Sequence, residues 1–325
     1  MSDLISIIIP AYNAEQFLET TLRSVLAQTY QNIEIIIIND GSKDQTGEIA
    51  DEWARKDNRI LAIHQENQGV SAARNKGLEI VKGNLIGFVD ADDEIEEGMY
   101  EFLYHNLQKY NADISHCGFE LVKKAKIVQF HNTGVVLVQN RVLALEELLS
   151  GDRIEPSVCT KLFKKGILQN VRFATDIKIN EDLLFNIEAF NNAQKSVFED
   201  VIKYKYKYNS KSASRSTKTL LIQEEVYKAA HRIRVLLQDD VMKEAAEKFY
   251  VAKLLTSLKS LKKHHLFKTE IAKQHRTELK QNTTKNLGLR LSVLKNLLLY
   301  FPFFYDPFIY FYDLFFAKNQ KWNNN

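Results

Sequence analysis

The chain is poor in cysteine: only Cys117 and Cys159 occur among its 325 residues. That excludes a disulfide framework and fits a reducing compartment. It also lacks an uninterrupted apolar run long enough to span a membrane. The runs Ile5 to Ile9 and Ile33 to Ile38 fall far short of the roughly 20 apolar residues a spanning helix needs, and they read as buried strands. The opening MSDLISIIIP has no basic stretch followed by a long apolar run, so no secretory signal is expected. A formal net charge of +3 is too small to point to nucleic acid. The histidines are scattered, without His-x-x-x-His or Cys-x-x-Cys spacing, so zinc is not expected. A Ser–His–Asp signature, an internal repeat and a low-complexity linker are missing as well.

What remains is ordinary for a folded protein, with 45% hydrophobic and 26% charged residues. The length suits one large domain with an appendage, or two small ones. Over the first 120 residues or so, short apolar runs alternate with amphipathic stretches, the pattern of βαβ units on a parallel sheet. Strands are expected at Ile5 to Ile9, Ile33 to Ile38, Ile60 to His64 and Leu85 to Val89. The four consecutive isoleucines Ile35 to Ile38 imply burial on both faces. Helices are expected from about Ala14 to Gln28, capped by Asn13, then over Asp44 to Lys56 and Val70 to Val81. Further on, β structure with a turn at Asn132-Thr133-Gly134 is expected between Val122 and Val138. Helices follow at Leu143 to Leu149 and Glu181 to Phe190, and a strand at Val197 to Tyr208, where Lys and Tyr alternate. Beyond residue 220 the chain reads as helical and basic, with eleven Lys or Arg against two acids between Lys253 and Lys295.

Polar clusters fall where the first, second and fourth strands end, and open parallel sheets bind ligands outside the carboxyl ends of their strands. Phe88-Val89-Asp90-Ala91-Asp92-Asp93 sets three carboxylates after an apolar strand. Such clustering is unfavourable unless a cation or hydrogen bonds compensate. Asp90 and Asp92 project to one side of an extended chain, as one or two ligands of Mg2+ or Mn2+ would. An Asp-rich turn bonding nearby amides explains the same run. Pro10-Ala11-Tyr12-Asn13 and Asn39-Asp40-Gly41-Ser42 leave neighbouring strands and could frame a nucleotide base, with Asp40 accepting from an imide N–H; ordinary turn chemistry is the alternative. In ENQGVSAARNKG, Gly69 lies near a helix start and Arg74 within it. That arrangement suits a phosphate, or places a solvated Arg on an amphipathic helix.

In order, SIIIPAYNAEQFLETTLRSVLAQTYQNIEIIIINDGSKDQT, NQGVSAARNKG, GNLIGFVDADD, KLFKKGIL and NEDLLF resemble the family 2 glycosyltransferases over about Leu4 to Ser214. The resemblance implies a GT-A fold: an α/β architecture with a Rossmann-like, mostly parallel sheet flanked by helices, here followed by a mainly helical C-terminal region. It implies a catalytic domain at 1–218, with a nucleotide-sugar half at 1–95 and an acceptor half at 96–218, and a helical, basic and aromatic region at 219–325. It further implies that Pro10, Ala11, Tyr12, Asn13, Asp40, Asn67 and Arg74 hold the nucleotide. Asp90, Ala91 and Asp92 would be the DxD motif, with Asp92 the direct metal ligand and Asp90 nearer the ribose. Asp182 would be the general base, with Glu181 its neighbour. Ser212 and Ser214 would touch the diphosphate. Lys207 stands where the family often has Arg or His, and Cys159 and Lys161 would line the acceptor site.

The activity implied is inverting transfer of a hexose or N-acetylhexosamine from a UDP-sugar to a saccharide or lipid-linked acceptor, with Mn2+ or Mg2+, in bacterial surface polysaccharide or glycolipid assembly. For Asp182 a first-turn helix acid is the alternative role, compatible with the catalytic one. A nucleotidyltransferase would carry a Gly-rich basic loop where this chain has PAYNAEQF. A non-catalytic nucleotide-sugar-binding or assembly module is the other competing reading. The segment Leu297 to Phe316 is dense in aromatics but holds two prolines and two acids, which oppose a spanning helix. It suits shallow insertion at a membrane surface, or an aromatic face packing on the catalytic domain or on another subunit. The expected location is cytoplasmic, at the inner face of the membrane.

Overall fold

The computed structural model describes residues 3–123, 126–129, 132–151, 153–208, 219–282 and 288–305. The chain divides into two compact units: Met1–Leu148 with Ile154–Arg215, and Leu149–Arg153 with Ser216–Asn325.

The first unit begins with β1 (Ile5–Ala11), α1 (Leu18–Leu26), β2 (Ile33–Asp40), α2 (Thr46–Lys56), β3 (Ile60–Gln65), α3 (Val70–Ile80) and β4 (Leu85–Phe88). β1 pairs in parallel with β2 and β4, and β2 with β3. Every residue of β1 is buried, as are Ile35 to Ile38, because helices cover both faces of a parallel sheet. The expected first helix is shorter at its start. Asn13 adopts a left-handed φ of 49°, and its amide and side chain bond Ser42 Oγ and the Lys43 amide, so the chain turns through Ala14 to Phe17 before α1 begins. Asp44 lies outside α2 and accepts from the Thr46 amide at 3.1 Å.

After β4 come β5 (Glu94–Ile95), α4 (Met99–Tyr110), β6 (Ile114–Lys123), β7 (Lys126–Gln129), β8 (Val136–Asn140) and α5 (Arg141–Ser150). β9 (Lys161–Lys164), α6 (Glu181–Asn192) and β10 (Lys195–Lys207) complete the unit. Among the described residues the sheet runs β3-β2-β1-β4-β9-β6-β10-β5, with β7 on β6 and β8 on β10. β9 is antiparallel to both β4 and β6, so it joins the parallel β3-β2-β1-β4 half to the parallel β6–β10 pair. The architecture is the α/β, GT-A arrangement. Neither β9 nor α4 is among the expected elements.

In the second unit, α7 (Thr219–Leu236), α9 (Glu270–Gln281) and α10 (Gly288–Tyr300) all pack on α8 (Lys243–Lys263). Ile233, Leu254, Leu258, Leu279 and Leu298 are buried there. Ser257 Oγ meets His275 Nδ1 at 3.1 Å, and Arg234 pairs with Glu247 at 2.6 Å. No helix among the described residues is long and apolar enough to cross a membrane.

Candidate active site

The loops at the carboxyl ends of β1, β2 and β3 are laced together. Asp40 is buried, with Oδ1 accepting from Gln65 Nε2 at 2.8 Å and the Gln68 amide at 2.9 Å, and Oδ2 from the Gly69 amide at 2.8 Å. Gly41 has a φ of +69°, and a Cβ there would stand 2.7 Å from the Asn67 amide nitrogen. Only glycine lets these two loops approach so closely. Pro10 and Ala11 are buried in β1, Asn13 braces the loop after β2, and Tyr12 is half exposed. Asp40 and Asn13 thus shape the loops at these strand ends with their side chains.

Arg74 is the hub of the site. Gly77, one turn later on α3, lies so close to β1 that a Cβ would come within 2.5 Å of Ile8 Cγ2. That contact seats the helix and aims Arg74 past the tip of β4. Nη2 of Arg74 reaches Asp90 Oδ1 at 2.9 Å, and Nη1 reaches Asp182 Oδ1 at 2.5 Å and Glu181 Oε1 at 3.5 Å. Its side chain is only 4% exposed. The guanidinium lies 5.2 Å from the centre of the Phe173 ring, which stacks on Phe185 at 4.0 Å with Phe88 edge-on to both. The Asn75 side chain clamps the Phe173 backbone, Nδ2 donating to its carbonyl and Oδ1 accepting from its amide, both at 2.8 Å. Both terminal nitrogens of Arg74 therefore serve carboxylates of this chain.

Glu181 and Asp182 open α6 behind Asn180, whose φ is 69°. The Val158 amide approaches Asp182 Oδ2 at 3.4 Å, and Asn186 Nδ2 joins the Asp182 carbonyl to that of Pro156. One cation faces three carboxylates, an imbalance that burial magnifies. Burial, and then the neighbouring Asp182, push the Glu181 acid up to about 7. Burial also raises Asp182, while Arg74 pulls it down. Lys161 is fully buried, its ammonium donating to the carbonyls of Glu155 and Ser157 at 2.6 Å, and burial lowers it to about 8. Cys159 is fully buried too, and burial with Asp90 nearby holds its thiol well above the usual range. Neither side chain is exposed to solvent. Lys161 fastens the loop that carries the Val158 amide.

Asp93 was not assigned a role by motif, yet it is buried and bonded by Tyr204 and the Lys207 amide. Burial, then Asp90 and Asp92, push it up to about 8. Tyr204 is the fully buried member of the Lys-Tyr alternation on β10, so that alternation was the available signal. The Lys207 ammonium is paired with Glu94 at 2.6 Å. Asp92 is part-buried beside this cluster. Ser212 and Ser214 lie outside the described residues. No group of three His, Cys, Asp or Glu side chains suited to a metal occurs among the described residues. The carboxylates of Asp90 and Asp92 are hard oxygen donors, of the kind that fits Mg2+ or Mn2+ completed by substrate phosphates.

Comparisons with known proteins bear on the family and the fold. Among known proteins the chain is similar to the uncharacterized glycosyltransferase EpsJ of Bacillus subtilis, 38% identical over 60% of this chain and 58% of that one. The match thus spans little more than half the length of that relative. Among solved structures, S. aureus TarS in complex with UDP-GlcNAc superposes with a TM-score of 0.70 at 20% identity, over 91% of this chain and 86% of that one. The mannosyltransferase PcManGT from Pyrobaculum calidifontis, in complex with GDP-Man and Mn2+, gives 0.57 at 14% identity, over 98% and 89%. The family profile described as Glycosyl transferase family 2 matches residues 6–169, half of the chain, and the chain belongs to that family.

Proposed function

We propose that the chain is an inverting, metal-dependent glycosyltransferase that moves a hexose or N-acetylhexosamine from a UDP-sugar to a saccharide acceptor in bacterial surface-polymer assembly. The observation that carries this reading is the Arg74 bridge, which gathers Asp90 of the DxD loop and Asp182 of α6 on one guanidinium. The UDP-GlcNAc bound to the TarS neighbour supports the choice of donor. A divalent ion held by Asp92, with Asp90 beside it, would supply electrostatic neutralisation of the departing diphosphate.

The residues of the chain do the rest. Asp182 takes the proton of the acceptor hydroxyl as that oxygen attacks the anomeric carbon. A single displacement inverts the centre. Arg74 holds the base and the donor loop in one frame, and the Val158 amide fixes the second oxygen of Asp182. Asp40, Asn67 and Asn13 shape the loops around the base of the nucleotide, with Pro10, Ala11 and Tyr12 beside them, while the diphosphate contacts are assigned to Ser212, Ser214 and Lys207. Cys159 and Lys161 act on the acceptor side by supporting the loop beneath it. The catalytic domain is 1–218.

The test is UDP release from a panel of UDP-sugars with Mn2+, with Mg2+ and with EDTA. Release from at least one donor, abolished by EDTA, is expected. No metal-dependent release from any donor would favour a non-catalytic nucleotide-sugar-binding module.

The region 219–325 is proposed to touch the inner face of the cell membrane. Phe301, Phe303 and Phe304 are 57%, 88% and 66% exposed, and Lys262 donates to the Pro302 carbonyl between them. Aromatic side chains beside lysines suit an anionic lipid surface. Full-length protein should sediment with anionic vesicles, and Phe303→Ser should weaken this. An oligomer that ignores vesicles would assign the patch to self-association.

A further inference from the structure

The loop that leaves β4 is fixed from two other elements of its own unit. From α1, Thr21 Oγ1 lies 2.9 Å from the Ala91 carbonyl and 2.8 Å from the Asp93 carbonyl. Within the loop, the Asp93 amide donates to the Asp90 carbonyl at 3.1 Å. From β10, the Tyr204 hydroxyl accepts from the Asp90 amide at 3.3 Å and donates to Asp93 Oδ2 at 2.8 Å. The Lys207 amide donates to Asp93 Oδ1 at 2.8 Å. The hydroxyl of Tyr204 thus joins the first and last residues of the Asp90–Asp93 loop. The Asp93 carboxylate ties that loop in turn to the end of β10. A second tie runs beside it, since β5 pairs with β10 at Ile95 and Tyr204.

Both side chains are sealed from solvent, Asp93 at 3% and Tyr204 at 0% exposure. Neither can touch a donor sugar in this arrangement. A buried carboxylate next to two others is unfavourable, and an apolar side chain would serve packing better at that position. The carboxylate adds two directed hydrogen bonds that set where the Asp90-Ala91-Asp92 backbone lies.

We propose that Asp93 and Tyr204 form a positioning pair that holds the Asp90–Asp92 loop in the geometry required for cation and diphosphate binding, without contacting either. This rests on the reading of Asp90 and Asp92 as the cation-binding residues. Outer partners of metal ligands usually alter metal affinity more than the chemical step.

The test uses full-length protein, with Mn2+ binding followed by the loss of free-ion electron paramagnetic resonance signal in the presence of UDP, alongside steady-state kinetics. Tyr204→Phe should raise the Mn2+ concentration for half-saturation about tenfold while turnover at saturating Mn2+ stays within about threefold. Tyr100→Phe is the control, because Tyr100 is equally buried and its hydroxyl has no hydrogen-bond partner among the described residues. It should change neither quantity. Asp93→Asn should match Tyr204→Phe, and the double variant should be little worse than either, as expected for one coupled pair. If Asp93→Asn fails to fold, Tyr204→Phe, which loses a single oxygen, still decides against its control. Half-saturation in Tyr204→Phe indistinguishable from that of Tyr100→Phe would overturn the proposal. So would a loss of turnover at saturating Mn2+ with metal affinity unchanged. Wild-type protein that takes up no Mn2+ with UDP would sink the site reading itself, before any variant is compared.

Discussion

Arg74 Nη1 and Asp182 Oδ1 lie 2.5 Å apart although 108 residues separate them in the chain. The same guanidinium holds Asp90 at 2.9 Å, so the candidate base and the candidate donor loop share a single counter-ion. Removing that ion leaves three carboxylates in a buried place. Arg74→Met should therefore lower stability by about 3–5 kcal/mol, as breaking a buried pair does, and abolish measurable turnover. Arg74→Lys keeps the charge but loses the fork that spans two carboxylates. It should fold, with turnover reduced about a hundredfold. Thermal denaturation and UDP release check both variants.

The buried acids predict a pH profile. Glu181 is pushed from its ordinary 4.5 up to about 7, and Asp182 is raised as well. The pair must release its proton before Asp182 can accept one from an acceptor hydroxyl, so turnover should rise with pH through about 7. In Glu181→Gln a like charge disappears from beside Asp182, which favours the ionised base. The acid limb of the profile should then move to lower pH. An unmoved limb would separate Glu181 from the reaction.

Packing beneath Arg74 gives a stability test. A methyl group at Gly77 meets Ile8 Cγ2 at 2.5 Å and two more Ile8 carbons at 3.0 Å. Gly77→Ala should be less stable by about 1–3 kcal/mol from overpacking, and its turnover below the melting transition should also fall, because α3 carries Arg74. Phe185→Ala, which empties the ring stack under the guanidinium, should lower stability by about 3–5 kcal/mol. Denaturant titration measures each.

Asp92→Asn should lose metal-dependent donor binding and turnover together, since a neutral amide is a weak ligand for a hard cation. Calorimetric titration with the donor, with and without Mn2+, is the check. Donor affinity that keeps its full dependence on Mn2+ would move the cation to another group.

Much of the parallel half of the sheet was readable because consecutive isoleucines such as Ile35 to Ile38 admit only a strand buried on both faces. The resemblance marked Asp90, Asp92 and Asp182 as acids of interest. What Arg74 binds was not readable, because its partners lie 16 and 108 residues away and only the fold brings them together. The burial of Lys161 was not readable either. Lysine is almost never fully buried, yet here the carbonyls of Glu155 and Ser157 hold its ammonium inside the protein. The strand β9 is only four residues long and has Lys at both ends, so it shows no alternation to recognise. Asn13 looked like a helix cap by residue type, whereas its side chain serves the neighbouring loop. The buried role of Tyr204 was implicit in the Lys-Tyr alternation, and only its bond to Asp93 needed the structure.

The most direct measurement pairs turnover with donor affinity in Asp182→Asn. If Asp182 is the base, donor affinity in the presence of Mn2+ should stay within a few-fold of wild type while turnover falls by roughly a thousandfold or more. Full turnover in Asp182→Asn, at unchanged donor affinity, would contradict the account.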